Sequence, residues 1–306
     1  MNKLTKTIIG FVLLTLLFVF SCQKKNNKVE DTMLQGKATV YVDETILPII
    51  EDEQAVFEAE YKAKLHLVSK SENEIINDLF NDTARIVILT RTLSSKELKV
   101  FQSKKISPKT RPFAIDAITF IRKKATNDTL IALQDIVDFV KGKAVPNIKG
   151  LVFDNANSST ARYISEISGV QVNNQKNIFS FKNNEDVLKY VAKNNGMIGV
   201  VGINWIFQPP LDLQETLDNI NVLGVKGLNK SEYFFPTQDN IAQGKYPLAR
   251  RLYIVNCQGY SGLGMGFSSF LTGERGQRII LKSGLVPERI PTRKIRIKNT
   301  ITKDKN

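Results

Sequence analysis

The chain has 306 residues, with 43 Lys and Arg against 30 Asp and Glu, 42% apolar and 24% charged residues. This is an ordinary globular composition, long enough for a large core and about two lobes. A single histidine (His66) and two cysteines (Cys22 and Cys257) exclude a multi-histidine metal site, a cysteine zinc site and an iron–sulfur cluster. The net charge of +13 permits an anionic partner and can steer anions towards a cleft. There is no zinc finger, aromatic RNA-binding motif or basic recognition helix, so nucleic acid is not expected.

Residues 1–21 carry Lys3 and Lys6 and then a predominantly apolar stretch of thirteen residues, Ile8 to Phe20. As a helix this rises only about 20 Å, short of a membrane's hydrocarbon core, and the pattern predicts a secretory signal peptide. Val19-Phe20-Ser21-Cys22 resembles a bacterial lipobox, which implies lipidation at Cys22 and a place in the cell envelope, anchored to a membrane and facing the periplasm. Residues 22–35, rich in Lys and Asn at their start, then read as a tether. Cleavage would leave 41 basic and 30 acidic side chains, a charge of +11. Cys257 would be the one free thiol, expected to be buried and structural.

Strand-like and helix-like segments then alternate. Residues 38–42 (ATVYV) predict a strand and 47–61 a helix opened by Pro48, with acids near its first turn. Residues 64–68 predict a second strand, and Ser71 with Glu74 a capping box into a helix at 75–80. Residues 85–89 (RIVIL) predict a third strand and 94–101 a third helix, the alternation of a parallel sheet flanked by helices. The long apolar run 112–122 suits a strand that crosses from one lobe to another. Beyond it come a helix at 131–140, a strand at 150–153, helices at 158–167 and 184–193, and a strand at 197–201. The run 248–255 suits a return crossing, followed by helical segments at 267–271 and 277–282 and a closing edge strand at 294–298. His66, Trp205, Tyr253 and Phe267 read as structural or packing residues.

In open α/β sheets ligands bind beyond the carboxyl ends of the strands, where helices begin. Several such joints here carry hydroxyls: Thr45, Ser69 and Ser71, Thr90 beside Arg91, and Ser158-Ser159-Thr160. A helix N-terminus offers free backbone N–H groups and partial positive charge, which suits an oxyanion, although Ser and Thr also stand there simply as N-caps.

From Gly36 to about Pro291 these stretches, in order, resemble the phosphate-type periplasmic substrate-binding proteins of ABC importers. The resemblance rests on Thr45-Ile46-Leu47-Pro48, Thr90-Arg91-Thr92, the crossing run 112–121, Asn157-Ser158-Ser159-Thr160, Gly196-Met197-Ile198-Gly199 and Gly284-Leu285-Val286-Pro287. It implies an α/β, two-lobed periplasmic-binding-protein fold of type II with the lobes joined by two crossing strands. The expected division is 36–113 and 248–306 for one lobe and 114–247 for the other. It also implies a monomeric solute-binding protein, not an enzyme, that captures inorganic phosphate without cofactor or metal and delivers it to a permease. The implied phosphate-binding residues are Thr45, Ile46, Ser71 (or Ser69), Thr90, Ser158, Ser159 and Thr160; Arg91 and Asp154 join them through a departure from the family pattern.

Two positions depart from the family pattern. Its Ser-Gly-Thr is Ser-Ser-Thr here. Its aspartate after the third strand and arginine before Ser-Gly-Thr are replaced by Thr90, followed by Arg91, and by Asp154, which suggests a charge exchange across the cleft. Three alternatives stay open: another oxyanion (sulfate, molybdate or an organic phosphate), a non-transport envelope scaffold, and a hydrolase in which Asp43, Asp116 and Asp154 gather a metal.

Overall fold

The computed structural model describes residues 31–124, 128–172 and 175–292. The expected signal peptide, the expected lipidation site at Cys22, most of the expected tether and the strand expected at 294–298 lie outside them. Residues 31–35 of the expected tether are already part of the folded body: Asp31 accepts hydrogen bonds from Tyr260 Oη (2.8 Å) and Leu263 N (3.3 Å).

The first third of the chain builds one sheet with its helices. β1 (Gln35–Asp43) runs through a 3-10 turn (Glu44–Ile46) into α1 (Leu47–Glu60), with Pro48 in the first turn, where no backbone N–H is needed. β2 (Lys62–Lys70) leads to α2 (Glu72–Phe80), and β3 (Ile86–Leu89) to α3 (Ser95–Ser103). Both α2 and α3 open on a capping box, Ser71 with Glu74 and Ser94 with Glu97. All four residues of β3 are buried, as a short, continuously apolar strand inside a parallel sheet should be. β1 pairs in parallel with β2 and with β3.

β4 (Lys109–Lys123) then crosses between lobes. It is followed by β5 (Leu130–Ala132), α4 (Leu133–Val140), β6 (Gly150–Phe153), α5 (Ser159–Ser168), β7 (Ile178–Ser180), α6 (Asn184–Lys193) and β8 (Met197–Gly202). Short elements close this lobe: α7 (Asn204–Phe207), α8 (Gln214–Asp218), β9 (Ile220–Val222), β10 (Gly224–Lys226), β11 (Tyr233–Phe234) and α9 (Gln238–Ala242). The chain returns through β12 (Ala249–Asn256) and ends on α10 (Leu263–Thr272), α11 (Glu274–Lys282) and β13 (Val286–Pro287). The helix expected over 131–140 starts only at Leu133. Residues 130–132 instead pair in parallel with β10, and Ile131 is buried there.

The main strand order is β2-β1-β3-β12-β4-β8-β6-β7, with β13 and β9 also on β4. β12 is antiparallel to both β3 and β4. At about 3.4 Å per residue, β4 is long enough to serve two sheets. Up to Ala117 it pairs with β12, and from Ile118 it pairs with β8. At the junction Ile118 N donates to Leu248 O (3.0 Å) and Ile203 N to Ala117 O (2.8 Å). Both expected crossings, β4 and β12, therefore meet at one point between the lobes. Phe57, Phe113, Phe120, Phe153 and Phe267 are fully buried on either side of it. Cys257 is buried and free, and burial pushes its thiol up to about 11.

Candidate functional site

The crossing strands set one charge against another. Arg250 of β12 lies directly opposite Asp116 of β4 in the antiparallel register, where side chains on one face are neighbours. Arg250 Nε and Nη2 donate to Asp116 Oδ2 at 3.1 and 2.9 Å, and both residues are buried. Alternation along the strand sends the next residue, Arg251, to the exposed face.

The terminal nitrogens of Arg250 reach one hydroxyl in each lobe. Nη2 donates to Thr45 Oγ1 and Nη1 to Ser159 Oγ, each at 2.9 Å. Thr45 follows β1 in the first lobe, Ser159 opens α5 in the second, and the two hydroxyl oxygens are 3.0 Å apart. One guanidinium thus spans the seam between the lobes, with a helix start on either side.

Local capping fixes both starts. Asp43 Oδ1 accepts from Thr45 N (3.0 Å) and Thr45 Oγ1 (2.8 Å). Ser158 caps α5, its Oγ accepting from Ala161 N at 3.2 Å and lying 2.9 Å from Thr160 Oγ1. Thr160 Oγ1 donates to Asp154 Oδ1 at 2.8 Å. A third start, that of α7, supplies Asn204, whose Nδ2 donates to Thr45 O at 2.8 Å. Gly202 makes that approach possible, since a Cβ there would fall 2.5 Å from Thr45 O.

Two buried carboxyls, Asp116 and Asp43, feel the charge of this guanidinium, and a second pair, Glu44 and Asp154, meets nearby. Burial pushes Asp43 up to about 6 against the pull of Arg250, and it also raises Asp116 and Asp154. Burial, then the Asp154 charge beside it, pushes Glu44 up to about 9. Glu44 thus faces Asp154 across the seam as a carboxyl that holds its proton more tightly than usual. It also takes the backbone N–H of Asn184 at the start of α6 (3.0 Å). The site holds hydroxyl donors, helix N-termini, one fixed cation and carboxyls that accept or, when protonated, donate, which together suit a small oxyanion.

The other expected residues are placed unevenly. Thr45, Ser158, Ser159 and Thr160 converge at the seam. The Ile46 side chain is buried in the core, so only its backbone is left to serve a ligand. Ser71 Oγ is engaged by Glu74 Oε2 (2.5 Å) within its capping box. Ser71 still lines a cleft of 370 Å³ together with Ser69, Glu44, Asp154 and Asn155. Thr90 Oγ1 faces Glu72 Oε2 at 3.4 Å. Arg91 stands apart from Asp154. Its guanidinium donates to Glu72 (2.7 Å), to both oxygens of Glu97 (2.8 and 2.9 Å) and to Thr92 O. The cation that touches the hydroxyls of both lobes is Arg250, which the sequence alone does not single out. Its trace is an Arg pair, Arg250-Arg251, in one crossing run and a lone Asp, Asp116, in the other. Among the described residues no group of three or more His, Cys, Asp or Glu side chains is placed to hold a metal ion.

The family model for the PBP superfamily domain matches residues 28–275. The chain belongs to the PBP superfamily. Among solved structures it is similar to one with bound phosphate from Clostridium perfringens, provisionally described as a phosphate ABC transporter substrate-binding protein. The TM-score is 0.69 at 19% identity, over 83% of this chain and 100% of that one. An ABC-type phosphate transport receptor from Vibrio cholerae gives 0.61 at 17%, over 82% and 100%. The regulatory domain of CcmR from Synechocystis, in complex with 2-PG, gives 0.52 at 13%, over 78% and 96%. Comparison with the curated proteins gave no match. At these identities the likeness is one of fold, and function has to be argued from the site.

Proposed function

We propose that this protein is a solute-binding protein of an ABC importer, tethered to the envelope membrane through lipid on Cys22, that takes inorganic phosphate between its lobes and delivers it to a permease. The observation that carries this reading is Arg250, which extends one terminal nitrogen to a hydroxyl at a helix start in each lobe. An oxyanion entering there would replace the direct Thr45–Ser159 contact. It would receive the guanidinium fork, both hydroxyls and the N–H groups at the start of α5, and it would draw the lobes together by hinge closure. No bond is made or broken. The phosphate-bound neighbour supports the choice of anion. The carboxyls around the site favour an anion that still carries a proton, which phosphate does at neutral pH and sulfate does not.

Calorimetric titration with phosphate and sulfate side by side tests this. One-to-one phosphate binding that Thr45→Val and Ser159→Ala each weaken at least tenfold, with little response to sulfate, is the expected result. Equal binding of both anions would remove the role of the carboxyls, and no heat from either would remove the phosphate reading.

A further inference from the structure

Away from Arg250, a row of five alternating charges runs across the lobe boundary: Glu97, Arg91, Glu72, Arg162, Glu166. Glu72 opens α2 in the first lobe, and its side chain is 1% exposed. Its Oε1 accepts from Arg91 Nε at 2.7 Å within the same lobe. It also accepts from Arg162 Nε at 2.8 Å, and Oε2 from Arg162 Nη2 at 3.3 Å, across the boundary. Arg162 sits on α5 one turn beyond Ser159, and its Nη1 holds both oxygens of Glu166 at 2.8 Å on its own helix. Arg91 holds Glu97 in the same way.

Only the Glu72–Arg162 link joins the two ends of this row. Parting the lobes would break that link and nothing else in it. Glu72 would keep Arg91, and Arg162 would keep Glu166, so neither half would be left with an unpaired charge.

We propose that Glu72 and Arg162 form a latch that closes the lobes over the site, built so that each partner has a second counter-ion in its own lobe for the open position. The inference rests on the hinge closure of the proposed function. It adds a term that is independent of the anion. Arg162 is fixed to the helix that presents Ser158 and Ser159, so engaging Glu72 brings that helix start into register with Thr45. A fully caged ion pair would make opening slow. Here each partner keeps its own-lobe counter-ion when the link breaks, and the expected effect on closure is about tenfold.

Two backbone amides report closure without any ligand, because each donates across the boundary: Asn184 N to Glu44 Oε1 (3.0 Å) and Asn73 N to Asn157 O (3.5 Å). Hydrogen exchange on the full chain, followed by mass spectrometry, should show Asn184 exchanging about tenfold faster in Glu72→Gln and in Arg162→Gln. The double variant should be no faster than either single one. Glu97→Gln, which leaves the cross-lobe link intact, and the amides of β3 in every variant should not change. Exchange at Asn184 within twofold of wild type in both single variants overturns the latch. Stopped-flow release of phosphate, followed by Trp205 emission, should be about tenfold faster in the same two variants. If phosphate does not bind wild type at all, the phosphate reading falls, and the exchange experiment still decides the latch.

Discussion

Arg250 is buried with one carboxylate, Asp116, in direct contact, so the two residues have different consequences when changed. Asp116→Asn takes away that contact charge from a buried guanidinium and should cost about 3 kcal/mol of stability, read from the midpoint of urea unfolding. Arg250→Gln should abolish phosphate binding by at least a hundredfold in the titration, about two charge-assisted hydrogen bonds, with a smaller loss of stability because Asp116 can take up a proton. Glu53 carries a different prediction. It is fully buried on α1, and burial pushes its carboxyl up to about 9. The fold holds this proton while the unfolded chain releases it in the ordinary carboxylate range. Its contribution is therefore intact below about pH 4.5 and is lost as pH rises towards 9. Glu53→Gln should be more stable than wild type at pH 8 by about 1 kcal/mol or more, with a flatter pH dependence, in urea unfolding at pH 5 and pH 8. At this scale hydroxyls were legible in the sequence and cations were not. Thr45 and Ser159 lie at helix starts that the local pattern marks. Arg91 is held by Glu97, six residues on, and by Glu72, nineteen residues back, and neither pairing leaves a local pattern.

The helix starts separate a capping role from a binding role. Ser158 and Ser94 both cap helices through a side-chain oxygen, Ser158 to Ala161 N and Ser94 to Glu97 N. Each Ser→Ala change should cost about 1 kcal/mol of stability, measured by denaturant unfolding. Only Ser158→Ala should also weaken phosphate binding, by tenfold or so in the titration. Equal affinities in the two variants would make Ser158 a cap alone. Gly202 closes β8 where Thr45 O approaches, and Gly202→Ala would place a Cβ 2.5 Å from that oxygen. The backbone there has partners on both sides and cannot shift freely, so a loss of about 2 kcal/mol is expected, together with weaker phosphate binding because Thr45 moves. Element boundaries were readable wherever a cap or a change of hydrophobic period marks them, as at Ser71 and at 184–193. They failed at 130–132, where pairing with β10, about ninety residues further along, overrides the local helical pattern.

At the scale of the whole molecule, Glu44 of one lobe lies against Asp154 of the other. Glu44 has its pKa raised to about 9, so this contact is intact below that value and is lost as pH rises through it, leaving two carboxylates facing each other. Phosphate affinity should therefore fall more steeply from pH 8 to 10 in wild type than in Glu44→Gln, measured by titration in parallel. Comparing the two chains cancels the titration of phosphate itself. Identical slopes would take Glu44 out of the seam. The two-lobed architecture was legible because the run 112–122 is too long for one sheet of short strands and lies where a chain must leave one lobe, and the run 248–255 lies where it must return. The seam itself was not.

The order of strands and helices, the hydroxyls at their joints and the two crossing runs follow from periods of two and 3.6 residues and from caps, which act over a few neighbouring residues and so are written locally. Which charge reaches the seam depends on register: Arg250 meets Asp116 across 134 residues of chain. Glu72 meets Arg162 across 90. Pairings at that distance are set by how the lobes pack and leave no periodic trace, so only the folded chain decides them.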